Sequence, residues 1–286
     1  MSFRRTPSFV IVSGLLLNIA ASCTLGQDAD VLVDQHAWAR FGVGSWKLVR
    51  AFAETLDESG KVESVSITET KTTLASADAN GYTLKVEVAI EVAGKRFQAD
   101  PKVLTYGYNG EVNGQTVTTR DIGEVKLNVA GIEHPTLKRQ VLIEAADLRS
   151  VSTTYYSASV SPHTLKRTTE ATDTKTNERT YWADVQVFAI DMPRRVLTET
   201  KPTSHVRKVE TYSNGVRKVT VEVLCDSVPG AVVAHTMKQV HESGSTVTRS
   251  TLDLIDYQVI AKPATPAKAA SSPARRGLFR RRRKSG

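Results

Sequence analysis

The sequence predicts an all-β protein, mainly antiparallel: a meander of long hairpins forming a large curved sheet, an open barrel or a sandwich, led in by a short N-terminal helical or extended arm. Three observations predict it. The stretch YTLKVEVAIEV (82–92) alternates strictly, with Tyr82, Leu84, Val86, Val88, Ile90 and Val92 on one face and Thr83, Lys85, Glu87 and Glu91 on the other. Period-2 alternation of that length is the mark of a half-buried antiparallel strand. Turn signals then recur along the chain, and the segments between them are rich in Thr and Ser, which suit strands and keep an exposed face wet.

The first 26 residues read as a signal peptide. Arg4 and Arg5 precede an uncharged apolar stretch from Ser8 to Ala21, then small residues, then acidic polar sequence. That is the tripartite secretory pattern, and an apolar core of about 14 residues is short for a membrane span. Two readings of the cleavage region stand. Ile19-Ala20-Ala21-Ser22-Cys23 resembles a relaxed lipobox, which would make Cys23 the lipidated first residue, with Ala20 where the usual Leu would be. Ordinary cleavage after Gly26 would discard Cys23.

Residues 27–45 form an aromatic segment leading into the domain, with Trp38 and Phe41 followed closely by Trp46. Their rings are expected to plug one end of the core. Residues 46–260 carry the β domain. Strand patterns recur in RKVTVEVLC, where Val219, Val221, Val223 and Cys225 share a face, and in YWADVQVFAI from Tyr181. The turn signals are ESGK (58–61), ANGY (79–82), AGK (93–95), NGEVNG (109–114), TKTNE (174–178), SNGV (213–216), PGA (229–231) and ESGS (242–245). Gly and Asn-Gly supply the positive φ angles that tight hairpins need. Residues 261–286 change composition to Ala, Pro, Lys and Ser and then to a basic cluster, and are expected to be a disordered linker and tail.

The formal charge of +8 belongs to the ends. Nine basic and no acidic residues follow from Lys262 onward, and Arg4 and Arg5 lie in the signal region, so residues 27–260 carry −3. The body therefore has no overall basic surface, and an exported chain does not meet the cytosolic nucleic-acid pool. Nucleic acid is not an expected partner. With Cys225 the one thiol in the body, no intramolecular disulfide staples the fold.

Catalytic patterns are absent from the sequence. Neither G-x-S-x-G nor G-x-x-x-x-G-K-[ST] occurs, and the HESGS segment after His241 breaks the H-E-x-x-H pattern. His235 and His241 are six residues apart on extended chain, roughly 20 Å, too far to share a metal, and are expected to be exposed or turn-side. Cys225 reads as a small buried hydrophobe. No catalytic, cofactor or metal residue is nominated, and no cofactor is expected. The distinctive feature is the tail, where Arg275, Arg276, Arg280, Arg281, Arg282, Arg283 and Lys284 flank Leu278 and Phe279. Basic groups around an apolar wedge suit an anionic membrane surface or envelope polymer, at about 1 kcal/mol per basic residue near an anionic bilayer. A lipid on Cys23 would add the second signal of stable attachment.

The exported start, the RFGVGSW segment, the Thr-rich TETKTTL strand and the Ala/Pro linker into RRGLFRRRR resemble uncharacterised secreted proteins of planctomycete-type bacteria. That resemblance implies export and carries no activity. The exported antiparallel architecture is also similar to periplasmic lipoprotein carriers, which implies an apolar concavity holding acyl chains. The expectation is thus an exported, non-enzymatic envelope protein, binding or structural, attached through its basic tail. The alternatives are a periplasmic lipid or lipoprotein carrier with a lipid ligand and, further off, an envelope hydrolase.

Overall fold

The computed structural model describes residues 33–262. The expected signal peptide, Cys23 and the basic run from Arg275 to Lys284 lie outside the described residues. A single 3-10 turn, Val33–Gln35, opens the described chain. Fourteen strands follow: β1 (Trp46–Leu56), β2 (Val62–Ala77), β3 (Gly81–Val92), β4 (Lys95–Gln98), β5 (Lys102–Gly107), β6 (Thr116–Val129), β7 (Ile132–Glu144), β8 (Leu148–Tyr156), β9 (Thr164–Asp173), β10 (Arg179–Val196), β11 (Glu199–Tyr212), β12 (Arg217–Leu224), β13 (Val232–Val240) and β14 (Thr246–Gln258). They form one sheet of antiparallel pairs, as the alternation predicts.

Every Gly-bearing or Asn-bearing turn signal read from the sequence falls at a connection between two strands. Hairpins therefore account for most of the strand order, which runs β4-β3-β2-β1-β14-β13-β12-β11-β10-β9-β8-β7-β6. Among the described residues the two ends of the sheet-forming chain meet where β1 pairs with β14, from Trp46 opposite Gln258 to Thr55 opposite Thr248. At one edge β4 and β5 share the outer side of β3. That edge is blunted by short strands, by Lys95, Arg96 and Lys102, and by Pro101 between them, devices that discourage edge-to-edge pairing.

The chain's own connectivity requires the sheet to curve. Gly107 ends β5 and Thr116 begins β6, at opposite edges. The linking segment reaches no more than roughly 32 Å when fully extended, whereas a flat sheet of this order would set those edges roughly 58 Å apart. The edges must therefore bend toward one another. The same bend brings β6 within 8 Å of β10, although β7, β8 and β9 lie between them in the order. Bulges between Leu48 and Val49, Asp121 and Gly123, and Val187 and Ala189 supply local kinks. The result is an open, curved sheet with an enclosed inner face.

The arm caps one part of that face. Trp38 is 1% exposed and packs with Leu74, Tyr82, Leu84 and Tyr108. His36 holds the arm in shape: its Nδ1 accepts from the backbone N–H groups of Trp38 and Ala39, both at 3.2 Å. The Gly230 N–H donates to Ala37 O at 2.8 Å. At the other terminus, Ile260 N donates to Ser45 Oγ at 2.9 Å, and Lys262 pairs with Asp34 at 2.9 Å. A larger apolar cluster joins Val49, Leu165, Val187, Val206, Leu224 and Leu252 across the inner face.

One face assignment inverts expectation. On β12 the valine row is not the most buried one: Val219 and Val221 are half-buried, while Lys218, Thr220 and Glu222 alternate with them as buried residues. Alternation tells which residues share a face but not which face the sheet encloses. On β12 curvature encloses the charged one.

A charged interior on the central strands

The inner face of β10 to β13 is built in cross-strand rows, because the side chains of directly opposed residues point the same way. Nearest the 213–216 turn, Tyr181 on β10 opposes Tyr212 on β11. In the next row Ala183, Glu210, Lys218 and Gln239 stand in line across the four strands. The third row is Val185, Lys208, Thr220 and Met237, extended on β9 by Arg167. The fourth is Val187, Val206, Glu222 and His235. Apolar packing thus gives way, row by row, to charge toward the turn.

Glu210 is the centre of the arrangement. Its Oε1 lies 3.0 Å from Lys208 Nζ and accepts from the Tyr181 hydroxyl at 2.8 Å. Its Oε2 lies 3.5 Å from Lys218 Nζ. All three charged residues are less than a tenth exposed. Lys47, on β1 and 2% exposed, donates to Gly230 O at 3.3 Å and Val232 O at 3.1 Å. Its ammonium also lies 5.7 Å from the Trp38 ring centre, so it ties the arm to this face.

Burial and mutual charge pull the titrating groups apart. Burial acts to raise the Glu210 carboxyl, but Lys208 and Lys218 outweigh it and hold the group below the usual carboxylate range. Burial lowers Lys218, against the pull of Glu210. Burial raises Glu222, and the nearby Glu210 charge adds to that. Burial lowers His235 to about 4, helped by Lys218, Lys47 and Lys208, so its imidazole is neutral. Burial and the Glu210 charge raise Tyr181 strongly and Tyr212 to about 12, so both stay protonated donors. Groups with their affinities displaced in this way concentrate where proteins bind or react.

Thr220 Oγ1 is buried without a hydrogen-bond partner, and Glu210 Oε2 has the 3.5 Å ion-pair contact with Lys218 Nζ but no hydrogen bond. An unpaired polar atom in a buried setting carries a desolvation cost of about 1–3 kcal/mol. Three lysines face two carboxylates here, and one of those carboxylates is pushed toward its neutral form. The interior is therefore short of negative charge.

None of these residues stands out in the sequence except His235, expected to be exposed or turn-side and found half-buried on the inner face. His241 is exposed at the β13–β14 turn, as expected. Cys225 is 2% exposed and packs with Val196, Val223, Val228, Val233 and Ala234, the small buried hydrophobe its phase predicts. The usable signal for the charged site is opposite charges on one face of consecutive strands: Lys208 and Glu210 two residues apart, then Lys218 and Glu222 four apart with Thr220 between them. Glu210 and Glu222 themselves lie four residues apart along the strand direction, roughly 13 Å at the backbone. Among the described residues no group of three or more His, Cys, Asp or Glu side chains is placed to hold a metal ion. Among them, too, no helix is long and apolar enough to cross a membrane.

No family model matches the chain. No curated protein sequence matches it either. Among solved structures, a Bacteroides fragilis protein classed as exported and of YmcC-like fold is similar over 76% of this chain and 98% of that chain, at 9% identity and a TM-score of 0.31. A likeness so distant defines no family.

Proposed function

We propose that the protein is an exported, non-enzymatic cell-envelope protein that binds a polar ligand on the inner face of its curved sheet. The observation that carries this is the buried Lys208–Glu210–Lys218 network, with the unpartnered Thr220 hydroxyl beside it on the enclosed face of a sheet. Buried ion pairs seldom stabilise a fold better than apolar packing would, so a sheet that encloses one is better matched to recognition than to stability. The sequence supplies export through the Arg4/Arg5-led apolar start. It supplies attachment through Arg275, Arg276, Leu278, Phe279 and the basic run Arg280–Lys284, with Cys23 as the candidate lipid anchor.

The lipid-carrier alternative needs an apolar concavity. The rows from Tyr181 to Lys208 set buried hydroxyl, carboxylate and ammonium groups among their apolar residues, which favours a water-soluble ligand over an acyl chain.

Native mass spectrometry of the protein gently extracted from its own envelope tests the reading. The expected result is a stoichiometric adduct with the mass of a polar molecule. An acyl-chain adduct, or an empty protein under conditions that preserve complexes, overturns it. Deleting residues 263–286, which spares the Ile260 and Lys262 contacts, is expected to release the protein from isolated envelopes at moderate salt. Unchanged retention would remove the tail's role.

A further inference from the structure

We infer that Lys208, Lys218 and Thr220 form a receptor for a single anionic oxygen group, a carboxylate or a phosphate, carried by the ligand. The inference deepens the binding reading above and rests on it. Register places Thr220 directly opposite Lys208, while Lys218 precedes it by two residues on the same face of β12. The hydroxyl of Thr220, on a residue 4% exposed, points onto the enclosed face with no hydrogen-bond partner. It is a ready donor between two ammonium groups.

Those two ammonium groups are already arranged to grip a carboxylate. Glu210 receives Lys208 at 3.0 Å on one oxygen and Lys218 at 3.5 Å on the other, with the Tyr181 hydroxyl on the first. The longer contact leaves Lys218, with three N–H donors and 7% exposure, under-used. Lys47 and Arg167 add positive charge to the same face, and Glu222 is the other carboxylate in it. An incoming anion meets unspent donors and an excess of positive charge, the setting in which charge-assisted hydrogen bonds are strongest.

Tyr181 and Tyr212 form the first row, their ring centres 5.4 Å apart, one step above Glu210 and Lys218. Both carry hydroxyls that reach Glu210, at 2.8 and 3.5 Å. The Lys218 and Lys208 ammonium groups belong to the next two rows.

The test titrates the mature wild-type protein, labelled with 13C at lysine Cε, with inorganic phosphate and separately with sodium acetate. Saturable shifts of the Lys208 and Lys218 resonances are expected, and the anion that saturates at lower concentration identifies the oxygen group. Thr220→Val, which removes only the hydroxyl at constant shape, is expected to weaken that anion by about tenfold, a charged hydrogen bond's worth. Lys238→Ala, on the opposite face, is expected to leave it unchanged. Equal weakening by both variants, or shifts confined to other lysines, would overturn the receptor. So would the absence of any response to either anion. In that last case a polar adduct on the native protein keeps the binding reading alive, and its absence ends both.

Discussion

Lys208 and Glu210 stand two residues apart on one strand, and their side chains meet on the enclosed face at 3.0 Å between Nζ and Oε1. Lys218 joins them from the neighbouring strand, in direct register with Glu210. Three charges are thus buried together rather than paired at the surface.

Their energetics follow from what each is left with when a partner goes. Glu210→Gln is expected to destabilise the fold by about 3–5 kcal/mol, because Lys208 and Lys218 then remain buried without their counter-charge. The triple replacement Lys208→Met, Glu210→Leu, Lys218→Met is expected to recover most of that loss, since an apolar network of similar volume carries no desolvation cost. Urea unfolding of the three proteins reads both. A neutral Glu210→Gln would mean that the network is solvated.

His36 gives the fold a pH dependence whose sign is fixed. Burial, with Arg40 nearby, lowers its pKa to about 3, and protonating Nδ1 would break the two hydrogen bonds it accepts from the Trp38 and Ala39 N–H groups. The unfolded chain takes up a proton near pH 6.5 that the folded chain refuses until far lower. His36 therefore leaves stability unaffected above 6.5 and withdraws it as pH falls toward 3, by about 1.4 kcal/mol per pH unit. Glu222, raised in the fold, acts in the opposite sense above its unfolded value. The clean readout is therefore the difference between wild type and His36→Asn, whose amide oxygen keeps the acceptor without the charge. That difference is expected to grow in favour of Asn as pH falls from 6.5; a constant difference would contradict it.

The arm is locked by one glycine. Gly230 has φ +70°, and a Cβ there would stand 2.6 Å from Trp38 Cε2. Gly244 has φ +85° with open space around it. Gly230→Ala is expected to lower stability by about 2 kcal/mol more than Gly244→Ala, because only the first also displaces Trp38. Thermal unfolding of the two variants measures the gap, and equal losses would show that the arm is not packed as described.

Cys225 is enclosed in its apolar cluster, with Ser227 Oγ 3.3 Å from its sulfur. A thiol so placed is expected to be inert toward a maleimide in native protein and to react within minutes of adding denaturant, as read on the Cys225 peptide by mass spectrometry. Rapid native labelling would argue against the burial of this end.

The hairpins were legible because their turns are chemical: Gly and Asn at positive φ mark a position whatever surrounds it. The turn at Leu197, where a non-glycine residue adopts φ 54°, left no such mark. On β3, alternation also gave the correct buried side, with Tyr82 and Leu84 enclosed. On β12 the same reasoning favoured Val219 and Val221, and the structure encloses Lys218, Thr220 and Glu222 instead. Which face is inside depends on the bend of the whole sheet, set by β1 meeting β14 and by the short link from Gly107 to Thr116. No window of a dozen residues contains that information. The charged site was hidden for the same reason: Glu210 and Lys218 become partners only through register.

Ligand binding on the enclosed charged face is what the proposal stands on. The most direct test compares native masses of wild-type protein and the Thr220→Val and Lys218→Met variants, each extracted gently from its own envelope. A polar adduct is expected on wild type, reduced or missing on both variants while their folded spectra stay alike. An adduct of equal occupancy on all three, or on none, would contradict it.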